Sequence, residues 1–114
     1  MADGPKYNGT DGAPIDLATA RQWVANYKTQ NPGQVVAHYF GKDIIQHILL
    51  ENDCSGIRIY YALDDKGARQ LLVVGVNTKG DNLLPEEGSE GGGNQIADYS
   101  FPCPPYCGQG GDNL

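Results

Sequence analysis

Basic residues are scarce in this sequence and they form no cluster. Eight lysines and arginines stand against fourteen aspartates and glutamates, which gives a formal net charge of −6 at pH 7. A surface with this charge repels the phosphate backbone of nucleic acids and the headgroups of anionic membranes. We therefore expect neither a nucleic acid nor a membrane surface as the partner of this protein.

Long apolar runs are missing as well. Runs such as Leu71 to Val74 are far shorter than the roughly 20 residues that a membrane-spanning helix needs. The opening stretch, MADGPKYNGTDG, has neither the basic start nor the apolar segment of a secretory signal. We expect a soluble protein of the cytoplasm, with export of a processed chain as the alternative that the sequence leaves open.

Catalytic motifs are the third absence. The chain contains no Gly-x-Ser-x-Gly elbow, no His-Glu-x-x-His zinc motif and no phosphate-binding loop. Its only histidines, His38 and His47, have no histidine partner one helical turn away. This absence favours a non-enzymatic protein.

The first periodic segment predicts a helix over residues 17–30. Asp16 is a favourable N-cap, and apolar residues recur behind it at helical spacing. The sequence Asn31-Pro32-Gly33 ends this helix, because proline cannot continue it and glycine suits the turn that follows.

A short extended segment and a second helix come next. The β-branched and aromatic residues of QVVAHYF favour an extended conformation, with a helical start as the alternative. In KDIIQHILLEN the isoleucines and leucines form an apolar stripe, with Gly41 as the cap and Asp43 in the first turn. The sequence DCSG then breaks the helix.

The clearest strand signal is a hairpin over residues 57–77. Ile57, Ile59, Tyr61 and Leu63 alternate with Arg58, Tyr60 and Ala62, and RQLLVVGVN supplies the returning strand after the turn DDKG. Because the second strand is apolar on both faces, we expect it to be covered on both sides.

These elements predict an α+β fold, with two helices packed on a small antiparallel sheet that further short strands extend. We expect a single domain over residues 1–114. Within it, the sequence predicts a flexible arm (1–13), a core (14–84), a glycine-rich loop (85–94) and a cysteine- and proline-rich tail (95–114).

Three segments together resemble a family of short, uncharacterised bacterial proteins. They are HYFGKDIIQHIL, CSGIRIYYALDDKGARQLLVVGVNTKGDNLL and PCPPYCG. In that family a similar helix leads into a Cys-x-Gly-Ile-Arg-Ile-Tyr strand, and the chain closes with a Cys-Pro-Pro-x-Cys-Gly tail. The resemblance covers roughly residues 15–114 and implies that the three cysteines occur as a set, but it implies no activity.

The three cysteines, Cys54, Cys103 and Cys107, allow three interpretations. They form a zinc site, completed by His38 or His47. Alternatively a disulfide joins two of them, as structure or as a redox switch. In the third interpretation they are small buried residues in an apolar tail that packs on the sheet as a structural clasp.

Arg58 and the aromatic residues are the remaining candidates. Arg58, with Tyr60 beside it, either anchors an anionic ligand or forms an ion pair with Asp64, Asp65 or Glu51. Tyrosine suits wet interfaces, and the candidate interface residues are Tyr61, Tyr99, Tyr106 and Phe101.

The sequence therefore predicts a small non-enzymatic protein that acts by self-association, as a homo-oligomer, or by binding another protein. The alternative is a zinc-binding or redox-active protein that uses Cys54, Cys103 and Cys107.

Overall fold

The computed structural model describes residues 4–86 and 93–114, and these residues form two helices and five strands. The helices are α1 (Leu17–Gln30) and α2 (Lys42–Leu49). The strands are β1 (Ala37–Tyr39), β2 (Gly56–Leu63), β3 (Arg69–Val76), β4 (Asn82–Leu83) and β5 (Phe101–Cys103). The strand pairs are antiparallel, which confirms the predicted α+β class. Neither of these helices is long and apolar enough to cross a membrane.

The chain divides into two compact units. The first comprises the residues up to Gly12 and Phe40–Tyr99, and we call it the sheet unit. The second comprises Ala13–Tyr39 and Ser100–Leu114, and we call it the helix-tail unit. The expected division into arm, core, loop and tail stays a prediction, because most of the predicted loop falls on residues 87–92, outside the described residues.

The sheet unit is built around β3. Strands β2 and β3 pair along their whole length, and Gly75 and Val76 also pair with β4. On the other side from β2, Val73 exchanges two backbone hydrogen bonds with Ala97, at 3.1 and 2.8 Å. As predicted for a strand that is apolar on both faces, the second half of β3 is buried.

Helix α2 supplies the core of the sheet unit. Its cap, Gly41, is extended, and the apolar stripe that follows turns towards the sheet. Ile48 is fully buried against Val73 and Ala97, and Phe40, Ile44 and Ile45 pack around this cluster. The predicted helix is confirmed, although it ends at Leu49 rather than continuing through Leu50, Glu51 and Asn52.

Residues 96–101, IADYSF, are a candidate for one of the further short strands that the sequence predicts, but little of this segment is extended into a strand. Only Ala97 bridges β3, and β5 begins at Phe101 in the helix-tail unit. Between them, Tyr99 has a positive φ of 59°. A left-handed residue cannot continue an extended strand, and so the extended segment ends there.

The helix-tail unit combines α1, the β1–β5 pair and the C-terminal segment. The Asp16 side chain caps α1 by accepting a hydrogen bond from the Thr19 N–H at 3.0 Å, as the sequence predicts. The end of the chain contacts this helix, since Lys28 Nζ lies 2.6 Å from Asp112 Oδ2 and Arg21 Nε donates to the Asn113 carbonyl. No residue of α1 is buried: Leu17, Trp23 and Tyr27 stay exposed, and Ala20 and Val24 are half-buried.

Candidate functional site

Strand β2 forms one edge of its sheet. The strand order is β2-β3-β4, and no strand of the described residues pairs with the outer side of β2. Backbone N–H and C=O groups on such an edge have no protein partner, and they are a template for another strand.

The hydrogen bonds of Val73 identify which residues of β2 present these groups. Val73 lies opposite Ile59 in the register, yet its N–H and C=O bond to Ala97 on the other side. Ile59 and Val73 are therefore a non-hydrogen-bonded pair, and the backbone groups of Ile59 point outwards. Because the pattern alternates along an antiparallel strand, the same holds for every second residue of β2. We call these four residues the edge row: Ile57, Ile59, Tyr61 and Leu63.

The side chains of the edge row are apolar and exposed, and the second half of the strand is more exposed than the first. Their exposed fractions are 39% for Ile57, 52% for Ile59, 93% for Tyr61 and 71% for Leu63. Helix α2 packs on the same face of the sheet, as the contact of Ile48 with Val73 indicates, but it covers only the end at which β2 begins. The edge row therefore offers apolar side chains and unpaired backbone groups together.

On the opposite face, Arg58 ties β2 to the segment around β4. Arg58 Nη1 donates to Asn82 Oδ1 at 2.6 Å and to the Gly80 carbonyl at 3.2 Å. The Asn82 amide in turn donates to the Tyr60 hydroxyl at 2.6 Å. The sequence predicted either an anionic ligand or a carboxylate as the partner of Arg58. The structure instead gives it an amide and a carbonyl, which no short-range pattern signals.

A groove of about 460 Å³ lies beside the start of β2. The segment before α1 forms one wall through Tyr7 and Asp11, and the other wall includes Ile57 and Arg58. The backbone N–H groups of Tyr7 and then Lys6 donate to the Asp11 carboxylate, and this holds the pKa of that carboxyl below its ordinary value.

The turn that closes the β2–β3 hairpin is organised by Asp64. Its carboxylate accepts hydrogen bonds from the Ala68 N–H, the Gln70 side chain and the Lys66 N–H. These donors, of which Ala68 contributes most, hold the pKa of Asp64 below its ordinary value. The Asp64 carboxylate, at the end of the edge row, therefore keeps its negative charge to a lower pH than an ordinary aspartate.

In the tail, Cys103 and Cys107 are joined by a disulfide, with their Cα atoms 4.8 Å apart. Cys103 is buried, and its carbonyl accepts a hydrogen bond from the Val36 N–H at 2.8 Å. The rings of Phe101 and Tyr106 meet edge to face at 5.2 Å, yet both stay exposed to solvent. Of the three interpretations that the sequence left open, the structure has the disulfide, and this closes the tail into a small ring.

Cys54 is a free cysteine in the sheet unit. Its thiol donates to the Gly56 carbonyl at 3.2 Å. Beside it lies Glu51, a residue that the sequence indicated only as an ion-pair partner for Arg58. Glu51 Oε2 accepts from the Gln95 N–H at 2.8 Å, whereas Oε1 is buried and has no hydrogen-bond partner among the described residues.

The two histidines bond to other groups and not to each other. His38 Nδ1 is hydrogen-bonded to Ser100 Oγ at 2.9 Å, and His47 Nε2–H donates to the Gly93 carbonyl at 3.2 Å. Within residues 4–86 and 93–114, no group of three histidine, cysteine, aspartate or glutamate side chains is placed to hold a metal ion. A zinc site with Cys103 or Cys107 would also need the disulfide to be reduced, because the zinc ligand is a thiolate.

The predicted interface residues fall into both units. Tyr61 and Tyr99 belong to the sheet unit, and Phe101 and Tyr106 belong to the helix-tail unit. Tyr61 lies on the open strand edge, whereas Tyr99, equally exposed at 92%, lies outside any strand.

No family model matches the chain, and neither a curated protein nor a solved structure matches it. The resemblance to a bacterial family with a Cys-Pro-Pro-x-Cys-Gly tail therefore stays a prediction.

Proposed function

We propose that this chain is a non-enzymatic association protein that works by self-association or by binding another protein through the outer edge of β2. The observation that carries this proposal is the edge row, in which exposed apolar side chains and unpaired backbone groups belong to the same four residues.

Proteins that stay monomeric protect an edge of this kind. The usual devices are a lysine or proline on the strand, a short strand, or a covering segment. Strand β2 is eight residues long and has neither lysine nor proline, and its one charged side chain, Arg58, is bonded to Asn82 and Gly80. Among the described residues, the lack of a lysine, a proline or a paired strand along the outer edge of β2 supports an edge that is available for pairing.

The exposed area predicts a weak association. The side chains of the edge row offer on the order of 400 Å² per chain, about half of it from Tyr61. Even if all of it were covered, two chains together would bury no more than about 800 Å² of side-chain area, below the roughly 1,200–2,000 Å² of a standard interface. We therefore expect a reversible, concentration-dependent complex.

The tail acts as the structural clasp of the helix-tail unit. Its disulfide closes a ring beside the β1–β5 pair, and the segment after it contacts α1 through the Lys28–Asp112 ion pair. In this proposal the clasp stabilises the fold and takes no part in chemistry.

Sedimentation equilibrium of the wild-type chain over a wide range of concentrations tests the proposal. We expect the average mass to rise with concentration. Tyr61→Lys, which puts a solvated charge on the edge, is expected to abolish this rise without changing the stability of the chain.

Tyr99→Lys is the matched control. It makes the same chemical change at an equally exposed tyrosine that lies outside any strand. A wild-type mass that stays that of one chain at every concentration would contradict self-association. Equal loss of association in both variants would contradict the role of the edge.

A metal or redox function is the second candidate, and the bond between Cys103 and Cys107 is the observation that favours it. Its test is the mass of the purified chain under native and denaturing conditions, before and after reduction. One zinc ion per chain bound after reduction, or a disulfide that cycles under mild redox buffers, would support this candidate. A disulfide that persists in such buffers supports the clasp.

A further inference from the structure

We infer that the edge of β2 binds the edge of β2 in a second copy of this chain, antiparallel, with Tyr60 on the two-fold axis. This inference rests on the proposed function, since it names the partner and the register of that same edge. Two hairpins would then form one continuous sheet in the order β3-β2-β2-β3.

The alternation of backbone groups restricts the pairing. Only the edge row, which is odd-numbered, directs N–H and C=O groups outwards. In a hydrogen-bonded antiparallel pair both residues must direct their groups at each other, so an odd residue of one copy faces an odd residue of the other. Their side chains then lie on the same face, and the two edge rows form one apolar surface.

The number of hydrogen bonds selects one register. With Tyr60 at the centre, Ile59 faces Tyr61 of the second copy and Ile57 faces Leu63, and the reciprocal pairs form as well. These four pairs supply about eight hydrogen bonds, because each pair supplies two. Centring the pairing on Ile59 or on Tyr61 leaves three pairs within the strand and about six bonds.

The charges agree with this register. Arg58 lies opposite Ala62 of the second copy, so no two like charges face each other across the seam. The Arg58 guanidinium keeps its bonds to Asn82 and Gly80 of its own chain. A register centred on Arg58 would instead oppose two guanidinium groups.

At the start of β2 the second hairpin meets the groove beside Ile57. In the Tyr60-centred register Leu63 of the second copy arrives opposite Ile57. Ile57 lines the groove of about 460 Å³, so the space on that side of its side chain is open. The segment before α1 thus forms a wall of the groove beside the position that the second hairpin takes.

Cysteine cross-linking in a Cys54→Ser background tests the register, because the other two cysteines are already bonded to each other. A residue on the two-fold axis meets itself at roughly 4.5 Å between Cα atoms, within the range of a disulfide. We expect Tyr60→Cys to form a covalent dimer under mild oxidation. In this register the two copies of position 59 lie more than about 7 Å apart between Cα atoms, and so do the two copies of position 61. We therefore expect Ile59→Cys and Tyr61→Cys to form little covalent dimer.

Mixing two variants with cysteines at exposed positions provides a second measurement. It leaves the Tyr60–Asn82 hydrogen bond intact. Ile57→Cys and Leu63→Cys are expected to cross-link when mixed and not when each is oxidised alone. Cross-linking that is strongest at Ile59→Cys or Tyr61→Cys would overturn the register. A dimer that none of these cysteines traps would overturn the edge-to-edge pairing. A chain that stays monomeric would instead contradict the proposed function itself.

Discussion

The clasp gives the most specific stability prediction. Replacing both bonded cysteines, as Cys103→Ala with Cys107→Ala, removes the ring and leaves the rest of the tail sequence unchanged. Since the disulfide restricts the unfolded chain, its loss raises the entropy of that state and lowers the free energy of unfolding.

The magnitude follows from the small size of the ring. The two cysteines are four positions apart in the sequence. The chain-entropy relation gives ~7 cal/mol/K for a ring of this size, which corresponds to ~2 kcal/mol near room temperature. A chain of this length has a total stability of ~5–15 kcal/mol, so the loss is a substantial fraction.

Urea unfolding at a fixed protein concentration measures the effect. With a slope of ~2 kcal/mol per molar urea, the midpoint is expected to fall by about 1 M. A reductant should produce a similar fall in the wild type and none in the double variant. Cys54→Ala is the control, because Cys54 forms no bridge. Unchanged midpoints in the double variant and in reduced wild type would refute the clasp.

Two further predictions concern the sheet unit. Ile48→Ala removes three buried carbon atoms, so we expect it to lower the free energy of unfolding by ~3 kcal/mol. Leu50→Ala is the control, because the Leu50 side chain is 83% exposed and its loss should cost less than ~0.5 kcal/mol. Equal urea midpoints for these two variants would contradict the assigned core. The second prediction is a pH dependence from Asp64, whose pKa is lower in the folded chain than its ordinary value of 3.8. Its stabilising contribution is therefore present above that value and is lost as the pH falls through the folded pKa. Asp64→Asn should reduce the acid loss of the urea midpoint, and an identical pH profile for variant and wild type would count against the turn geometry.

Local signals in the sequence were sufficient for the two helices and the hairpin. Asp16 and the Asn31-Pro32-Gly33 stop define α1 because a cap and a helix breaker act within a few residues. The alternation in β2 and the continuous apolar run in β3 identify the hairpin for the same reason, since the periodicity of a strand is visible along the chain.

Long-range pairings could not be predicted in this way. Strand β1 pairs with β5 near the opposite end of the chain, and neither segment carries a signal that names its partner. The bonds of Val73 with Ala97 also join segments that are not neighbours in sequence, and they determine which residues of β2 face outwards. The sequence therefore identified Tyr61 as an interface candidate without indicating that it lies on an open edge.

The partners of Arg58 illustrate the same limit. Charge alone suggested a carboxylate or an anionic ligand, because those are the groups that an arginine binds most strongly. Asn82 and Gly80 satisfy it instead, since the turn before β4 and its pairing with β3 bring them within reach of the Arg58 side chain. Only the three-dimensional register makes that contact visible.

Residue-resolved amide hydrogen exchange at low and high protein concentration tests the central claim most directly. In the monomer the N–H groups of the edge row point to solvent and should exchange rapidly, whereas those of Arg58, Tyr60 and Ala62 are bonded to β3 and should be protected. At high concentration the account predicts protection of the edge row as well, so that the alternation along β2 disappears. A rise in mass while the edge row continues to exchange rapidly would contradict the account, because the chains would then associate through another surface.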